Sequence, residues 1–490
     1  MGFTFNIYLG VVIFYLLIMI GIGVYKSFSI KNQKDFVVSN RNVSTFMLIT
    51  TLVATWTGAG SLIGGAGLAY RQGFSELWMS IGGWLGILLV YWFAGRVRHV
   101  SQFTLPDILE KRYNGFAKLA GSIAIIIAYT TIVGYQLKGG AFVLQLVADV
   151  PIETGTIIML AMVVLLTALA GMKSIVSLDV INGILILVAI IIAVPLMLID
   201  LGGPSAVVAA LPENYFSIMG GHGFIWAFAI FFPVFLLLIG EPSMFQKFSS
   251  ARSEKTARRA VIGWVIGIFV IDVLICTLAI LGRVKFPQLG ADGHAERVIL
   301  DVARFGLPKW AGCLLLTGGM AIVFSTANSL LMTPATNATH DIIQRFIAKN
   351  MSQKTMIVVN RLMIALLGIM AYLALTRFQN VLTMALAAYT MIGAALTPAV
   401  LAAFFWKRVT TSGGVACIVG GIVGTIGAKL ISDLASVQQY CLRNFNIPCE
   451  ELGEYIVIPA FTLAIVLLIV VSLLGKKPPE EKWRPFFEKA

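Results

Sequence analysis

Hydroxyls and amides crowd into one apolar run, "GGMAIVFSTANSLLMTPATNATHDI", which carries Ser325, Thr326, Asn328, Ser329, Thr333, Thr336, Asn337 and Thr339. Ser325, Asn328, Ser329 and Thr333 recur at three- and four-residue steps, so oxygens line one face of a helix. A hard cation such as sodium takes oxygen ligands, and carbonyls freed by a broken helix supply more of them inside a membrane. Hydroxyls in such a run also bond their own backbone or join neighbouring helices. Their density here favours an ion site.

A second group of residues is ionisable within apolar runs. Asp179 lies in "MKSIVSLDVINGILIL" with Asn182 one turn on, and Lys138, Glu241 and Asp272 complete the set. A charge in lipid is costly unless paired, which makes each a functional candidate. Lys138 stands near the middle of its run, where its stem reaches water least easily. An ion pair between it and one of the acids is at least as well supported as a solute contact. Asp179 or Glu241 could carry protons. The sequence has no phosphate-binding Walker loop, no metal-spaced His or Cys cluster, and no GxSxG or HExxH motif, so nothing points to an enzyme.

These residues need elements to hold them, and the composition says which. The 490 residues are 58% hydrophobic and only 12% charged, with a mean hydropathy of +0.90. That composition belongs to an all-α polytopic membrane protein, since lipid offers no partner to an unpaired backbone group. About thirteen runs are long enough to span: 6 to 25, 44 to 70, 75 to 95, 116 to 147, 154 to 171, 176 to 199, 223 to 246, 259 to 282, 309 to 339, 355 to 375, 380 to 405, 413 to 432 and 454 to 474. The first follows an uncharged start and lacks a small-residue cleavage site, so it reads as a retained helix.

Two of these helices are interrupted. The second contains "VATWTGAGSLIGGAGLAY", and the seventh contains "FFPVFLLLIGEPSMF" with Pro233, Gly240 and Pro242. They lie five helices apart, as expected of inverted repeats whose unwound helices hold substrate and ions at mid-membrane. Glycine and proline are also simply common in membrane helices, and glycines permit close packing.

The net charge of +13 does not imply nucleic acid, because Lys and Arg cluster in alternate loops such as "KFSSARSEKTARR" and the tail "GKKPPEEKWRPFFEKA". The positive-inside rule makes those loops cytoplasmic, with the amino terminus outside, the carboxyl terminus inside, and a plasma (inner) membrane location. Cys276, Cys313 and Cys417 fall within helices as packing residues. Cys441 and Cys449 share one predicted external loop, where a disulfide is chemically permitted.

Several stretches in order resemble the sodium/solute symporter family, which includes the proline, pantothenate, galactose, sialic acid and choline symporters. "FTLPDILEKRY" is similar to the family's loop after the third helix, and "AGMKSIVSLD" resembles its GG-x-x-A-V-x-x-T-D pattern. "GEPSMFQKFSSARSEKTARRA" looks like the inner end of its seventh helix with the basic loop after it, and "AERV" followed by "FSTANS" is similar to the proline symporters.

The resemblance implies an inverted five-plus-five helix repeat. Residues 1–43 would be an extra helix and loop, 44–222 and 223–412 the repeats, and 413–490 two added helices and a tail. It implies a sodium site from the carbonyls of Ala54, Thr57 and Ile322 and the hydroxyls of Ser325 and Thr326. It also implies a second sodium set of Asp179, Ser325, Asn328 and Ser329, in which Asn328 replaces a serine. Trp56 resembles a choline-contacting tryptophan, while Gly60 and Ser61 stand where sugar symporters have Glu and Gln. Val234 and Leu238 stand where proline symporters have aromatics. The expected solute contacts are Trp56, Ser61, Gln136, Lys138 and Glu241.

The function these readings imply is sodium-coupled (Na+) import of a small polar organic solute by alternating access, in a chain that works in a lipid bilayer as a monomer. A compact zwitterion or carboxylate is the favoured solute. The alternatives are a proton-coupled transporter of the same fold, or a transporter-like membrane sensor, which the short tail argues against.

Overall fold

The computed structural model describes residues 6–27, 43–100, 104–291, 293–376, 378, 380–445, 447 and 451–487, with the side chains of 93–100, 170–176 and 249 excepted. Among the described residues twelve helices are long and apolar enough to cross a membrane. The difference from thirteen lies in the second expected span. It is divided into Thr45–Trp56, too short to cross alone, and a π-helical turn Gly60–Gly65 that leads into Ala66–Gln72. Gly73 then turns the chain toward the third span, Leu77–Val100. Its φ of +68 and the Tyr215 carbonyl oxygen, 2.2 Å from where a Cβ would stand, both demand glycine.

The remaining spans follow the sequence closely. The fourth is Gly115–Ala148, the eighth Glu254–Lys285, the tenth Gln353–Leu375, the twelfth Thr411–Ser432 and the last Val457–Leu474. Polar caps start many of them. Ser44, Asn114, Ser253, Ser352, Asn380 and Thr410 each accept the backbone N–H three residues on, satisfying a donor the helix cannot. Thr104 and Asp107 form a reciprocal capping box at the short helix Leu105–Arg112.

Three boundaries moved, each with a cause. Helical conformation is continuous over Ile152–Asp200, where two spans with a connection were expected. Thr167 and Asp179 nevertheless bond to Asn328 and Ser325, within one turn of the ninth span. By length and hydropathy this stretch still holds two candidate spans, the fifth, Ile152–Leu169, and the sixth, Ser177–Asp200. The seventh continues past its break, Phe224–Gly240 then Pro242–Ser250, so Lys247 lies within the apolar span rather than in the basic loop. The ninth runs Lys309–Thr336 and on through Asn337–Ile347.

The two breaks have nearly the same backbone. Thr57 sits at φ −70, ψ 104 and Glu241 at φ −67, ψ 106, both extended and both just after a helical segment. Val43 and Ala251 form a parallel bridge, with the Val43 N–H donating to the Ser250 carbonyl (3.1 Å), which lays the start of the second span beside the end of the seventh.

Burial separates centre from rim. In their most apolar stretches the ninth and eleventh spans are 94% buried, against 33% in the tenth and the last. The eleventh span is Val381–Ala395 continued by Thr397–Phe405. Large apolar side chains exposed at the rim, such as Phe14, Trp92, Leu362 and Leu473, form the surface lipid would cover. Cys276, Cys313 and Cys417 are buried thiols, as expected, while Cys449 lies outside the described residues.

Candidate functional site

The break in the second span frees backbone groups at the centre of the bundle. The last helical bond there runs from the Thr57 N–H to the Val53 carbonyl (3.0 Å), after which Thr57 turns extended. The Thr326 hydroxyl on the ninth span reaches both freed carbonyls, at 3.3 Å from that of Ala54 and 3.0 Å from that of Thr57. The stranded N–H of Ala59 donates to the Gln136 side-chain oxygen of the fourth span (2.8 Å). Gly58 makes this approach possible, since a Cβ there would stand 2.5 Å from Gln136 Nε2 and 3.0 Å from Thr326 Cγ2. The Thr57 hydroxyl is buried with no hydrogen-bond partner among the described residues. Three oxygens thus converge in a water-poor place, with a fourth unpaired beside them. Hard cations take such a donor set.

The other expected members of this set are close in sequence but turned differently. Ser325 donates to Asp179 Oδ1 at 2.6 Å, which leaves its lone pairs as acceptors. Ile322 is buried one turn before Thr326 on the same helix.

Asp179 is buried at the junction of the second, sixth, seventh and ninth spans. Its Oδ2 accepts from the Thr51 hydroxyl and lies 3.3 Å from Lys247 Nζ. The Lys247 ammonium, 1% exposed, also donates to the Thr51 carbonyl and hydroxyl (both 2.9 Å), the Thr55 hydroxyl and Ser329 Oγ (3.4 Å). Three of the four residues expected for a second ion are therefore gathered. Asn328 is not among them, because its side-chain oxygen accepts from Thr167 (2.9 Å). Asn182 accepts from Tyr15 of the first span, Ile7–Ser27 (3.0 Å).

Beside the break lies an aromatic group. Trp56 stacks on Tyr389 of the eleventh span at 6.1 Å and 30°, and the hydroxyls of Tyr135 and Tyr389 meet at 3.1 Å. Gly60 packs its backbone against the Tyr389 hydroxyl, and Gly83 lies against both the Trp56 ring and Val234. Gln136 Nε2 has no partner among the described residues, and Ser61 is half-buried. Glu241, in the break of the seventh span, accepts from the Tyr129 hydroxyl and from Ser243 Oγ (2.9 Å). Asp272 accepts from Trp84 Nε1 (3.1 Å). Lys138 extends over the Phe142 ring, 5.8 Å from its centroid. The acid whose field it meets is Glu296, outside the spans. Burial pushes that carboxyl up, against the Leu382 N–H it accepts and the charge of Lys138.

Tyr129, Tyr135, Tyr389, Thr51, Thr55 and Lys247 were not anticipated. Thr51 and Thr55 carried a signal, being hydroxyls one helical turn apart just before the break. The tyrosines carried none, because only packing shows which face of a span they occupy.

At one end of the bundle an ion network joins Leu105–Arg112 to the end of the ninth span. Lys118 Nζ lies 2.7 Å from Asp107, 3.0 Å from Glu110 and 3.3 Å from Asp341, and Arg345 pairs with Glu110 at 2.7 Å. Burial alone would raise the Glu110 carboxyl. The hydrogen bonds and charges of Lys118 and Arg345 hold it below the ordinary range. Asp107, His340 and Asp341 are spaced as metal ligands would be. Lys118 pairs with both carboxylates of that group.

Comparison with known proteins bears on the family and the fold. A family model described as sodium:solute symporter family matches residues 36–424. A sodium/proline symporter of Haemophilus influenzae is 27% identical over 95% of this chain and 94% of its own length. The osmoregulated proline transporter OpuE of Bacillus subtilis is 23% identical, covering 96% of each. Among solved structures, a sodium-coupled sialic acid symporter in a substrate-bound outward-open state superposes with a TM-score of 0.78. Its identity is 16%, over 96% of this chain and 99% of the other. Mhp1, a nucleobase-cation symporter in a closed conformation, gives 0.58 at 14% identity over 93% and 99%.

Proposed function

The chain belongs to the sodium:solute symporter family, and from that membership we propose how its own residues couple an ion to a solute. It is a multi-pass membrane protein and a sodium-coupled symporter of a small organic solute, and its relatives and structural neighbours are transporters rather than enzymes. Sodium, a co-substrate here, binds at the break of the second span. The carbonyls of Ala54 and Thr57 and the hydroxyl of Thr326 are its central ligands, and Ile322 and Ser325 complete the set. The observation that carries this is the meeting of the Thr326 hydroxyl with both freed carbonyls. Ser325 can contribute without losing its bond to Asp179, whereas the Thr326 proton must rotate away.

The solute is a compact zwitterion. Its apolar body rests on Trp56 and Tyr389, its cationic end is drawn to Glu241, and its carboxylate takes the donor left unpaired on Gln136, with Ser61 as a further contact, while Lys138, turned to Phe142, stands aside. The relatives named for proline make proline the first solute to test.

Residues 44–222 and 223–412 act as the two inverted repeats, a reading supported by the matching backbone angles of the two breaks. The Lys118 network lies at the cytoplasmic end by the distribution of basic loops. Alternating access follows from releasing the ties at one end while those at the other hold, and each sodium falling through 100 mV supplies about 2.3 kcal/mol. Because the linkage is reciprocal, proline must tighten sodium binding as much as sodium tightens proline.

The test is uptake of labelled proline into proteoliposomes under a sodium gradient. Ser325→Ala and Thr326→Ala should each raise the sodium concentration for half-maximal uptake. Wild-type sodium dependence in both would remove the site. Uptake driven by a pH gradient without sodium would overturn the choice of ion.

A further inference from the structure

The oxygens gathered around Asp179 already surround a cation. Lys247 Nζ lies within 3.4 Å of the Thr51 carbonyl, Thr51 and Ser329 hydroxyls and Asp179 Oδ2, and it also meets the Thr55 hydroxyl. These oxygens come from the second, sixth and ninth spans, while the lysine comes from the seventh. An ammonium has three protons to donate, and this cage offers it more oxygens than that. Such an excess is typical of a site that coordinates an ion.

A sodium ion held by Asp179, Ser325 and Ser329 would have to share this space. Asp179 brings one negative charge, and Ser325 already donates to its other oxygen at 2.6 Å. Glu241, the next acid along the seventh span, is held by Tyr129 and Ser243. A sodium beside Lys247 would place two positive charges a few ångströms apart in a low-dielectric interior, with one carboxylate between them. The residues present therefore do not fit a second sodium, and Asn328, turned to Thr167, does not complete its shell.

We infer that the Lys247 ammonium stands permanently in the place of a second coupling ion, so that the transporter moves one sodium per cycle. This rests on the sodium-coupled reading above. Tethered to the broken seventh span, Lys247 joins it to the second, sixth and ninth spans at every stage, which a diffusible ion does only when bound.

The experiment is equilibrium binding of radioactive sodium to the purified full-length protein, with sodium-dependent thermal stabilisation as a second readout. Wild type should bind one sodium per chain with a Hill coefficient of about 1. Lys247→Ala, which empties the cage and leaves Asp179 unbalanced, should bind two, with a steeper titration. Two ions in the wild type, or one in Lys247→Ala, would overturn the inference while leaving sodium coupling intact. No binding in the wild type would instead overturn sodium coupling, and this inference with it. Where Lys247→Ala does not fold because a buried carboxylate is left alone, the wild-type stoichiometry decides: one sodium per chain is expected, and two would overturn the inference.

Discussion

Gly58→Ala tests the sodium site through its packing rather than its ligands. The added Cβ would stand 2.5 Å from Gln136 Nε2 and 3.0 Å from Thr326 Cγ2. Relief to ordinary contact requires the Gln136 amide to retreat by about 1 Å. That stretches its bond to the Ala59 N–H, now 2.8 Å, beyond hydrogen-bond range. A stranded buried donor costs about 1–3 kcal/mol, which lowers the melting temperature by a few degrees without unfolding the protein. Displacing Thr326 by a few tenths of an ångström pulls its hydroxyl off the Ala54 and Thr57 carbonyls. Loss of one such contact to a charge, about 1.5–3 kcal/mol, is roughly a ten- to 150-fold loss in sodium affinity. Sodium-dependent thermal shift on purified protein measures both effects. Adding Gln136→Ala relieves the clash on that side but leaves the Ala59 N–H without its acceptor, so it should recover little of the melting temperature or of the sodium affinity. A Gly58→Ala protein with wild-type melting and sodium titration would refute the close packing on which the site is built.

Glu241→Gln keeps an acceptor for Ser243 and Tyr129 but removes the charge, so proline affinity should fall about tenfold or more while sodium-dependent stabilisation without proline is unchanged. Glu110, held below 4.5 by Lys118 and Arg345, gives stability that is present above that value and lost as pH falls through its lower folded value. Melting curves of wild type and Glu110→Gln should therefore differ at neutral pH and converge in acid. Gly421→Val places a Cβ 2.4 Å from the Ala395 Cα and should cost about 3 kcal/mol. Gly427→Ala, with nothing within 4 Å, should be neutral or stabilise by up to about 1 kcal/mol; equal melting of the two would contradict the docking of the twelfth span.

How much of this was legible depended on contrast. Ser325, Thr326 and the glycines around Gly58 stood out because small and polar residues are costly in an apolar run and need a reason to be there. Asp179 stood out for the same reason, and the structure places all of these at one junction. Lys247 failed that test although it is equally buried. It lies in "FQKFSSARSEKTARR", where neighbouring lysines and arginines make a cytoplasmic loop the natural reading. Only the helical continuation through Pro242–Ser250 carries it back into the bundle. Charge near a span's end can be assigned to water or to protein only once that end is fixed, and here the helix runs about one turn past the expected end. The break at Glu241 therefore brings Lys247 to Asp179. The two broken helices share their backbone angles but not what they bring together: at Thr57 the break opens carbonyls to the Thr326 hydroxyl, and past Glu241 it carries an ammonium to Asp179.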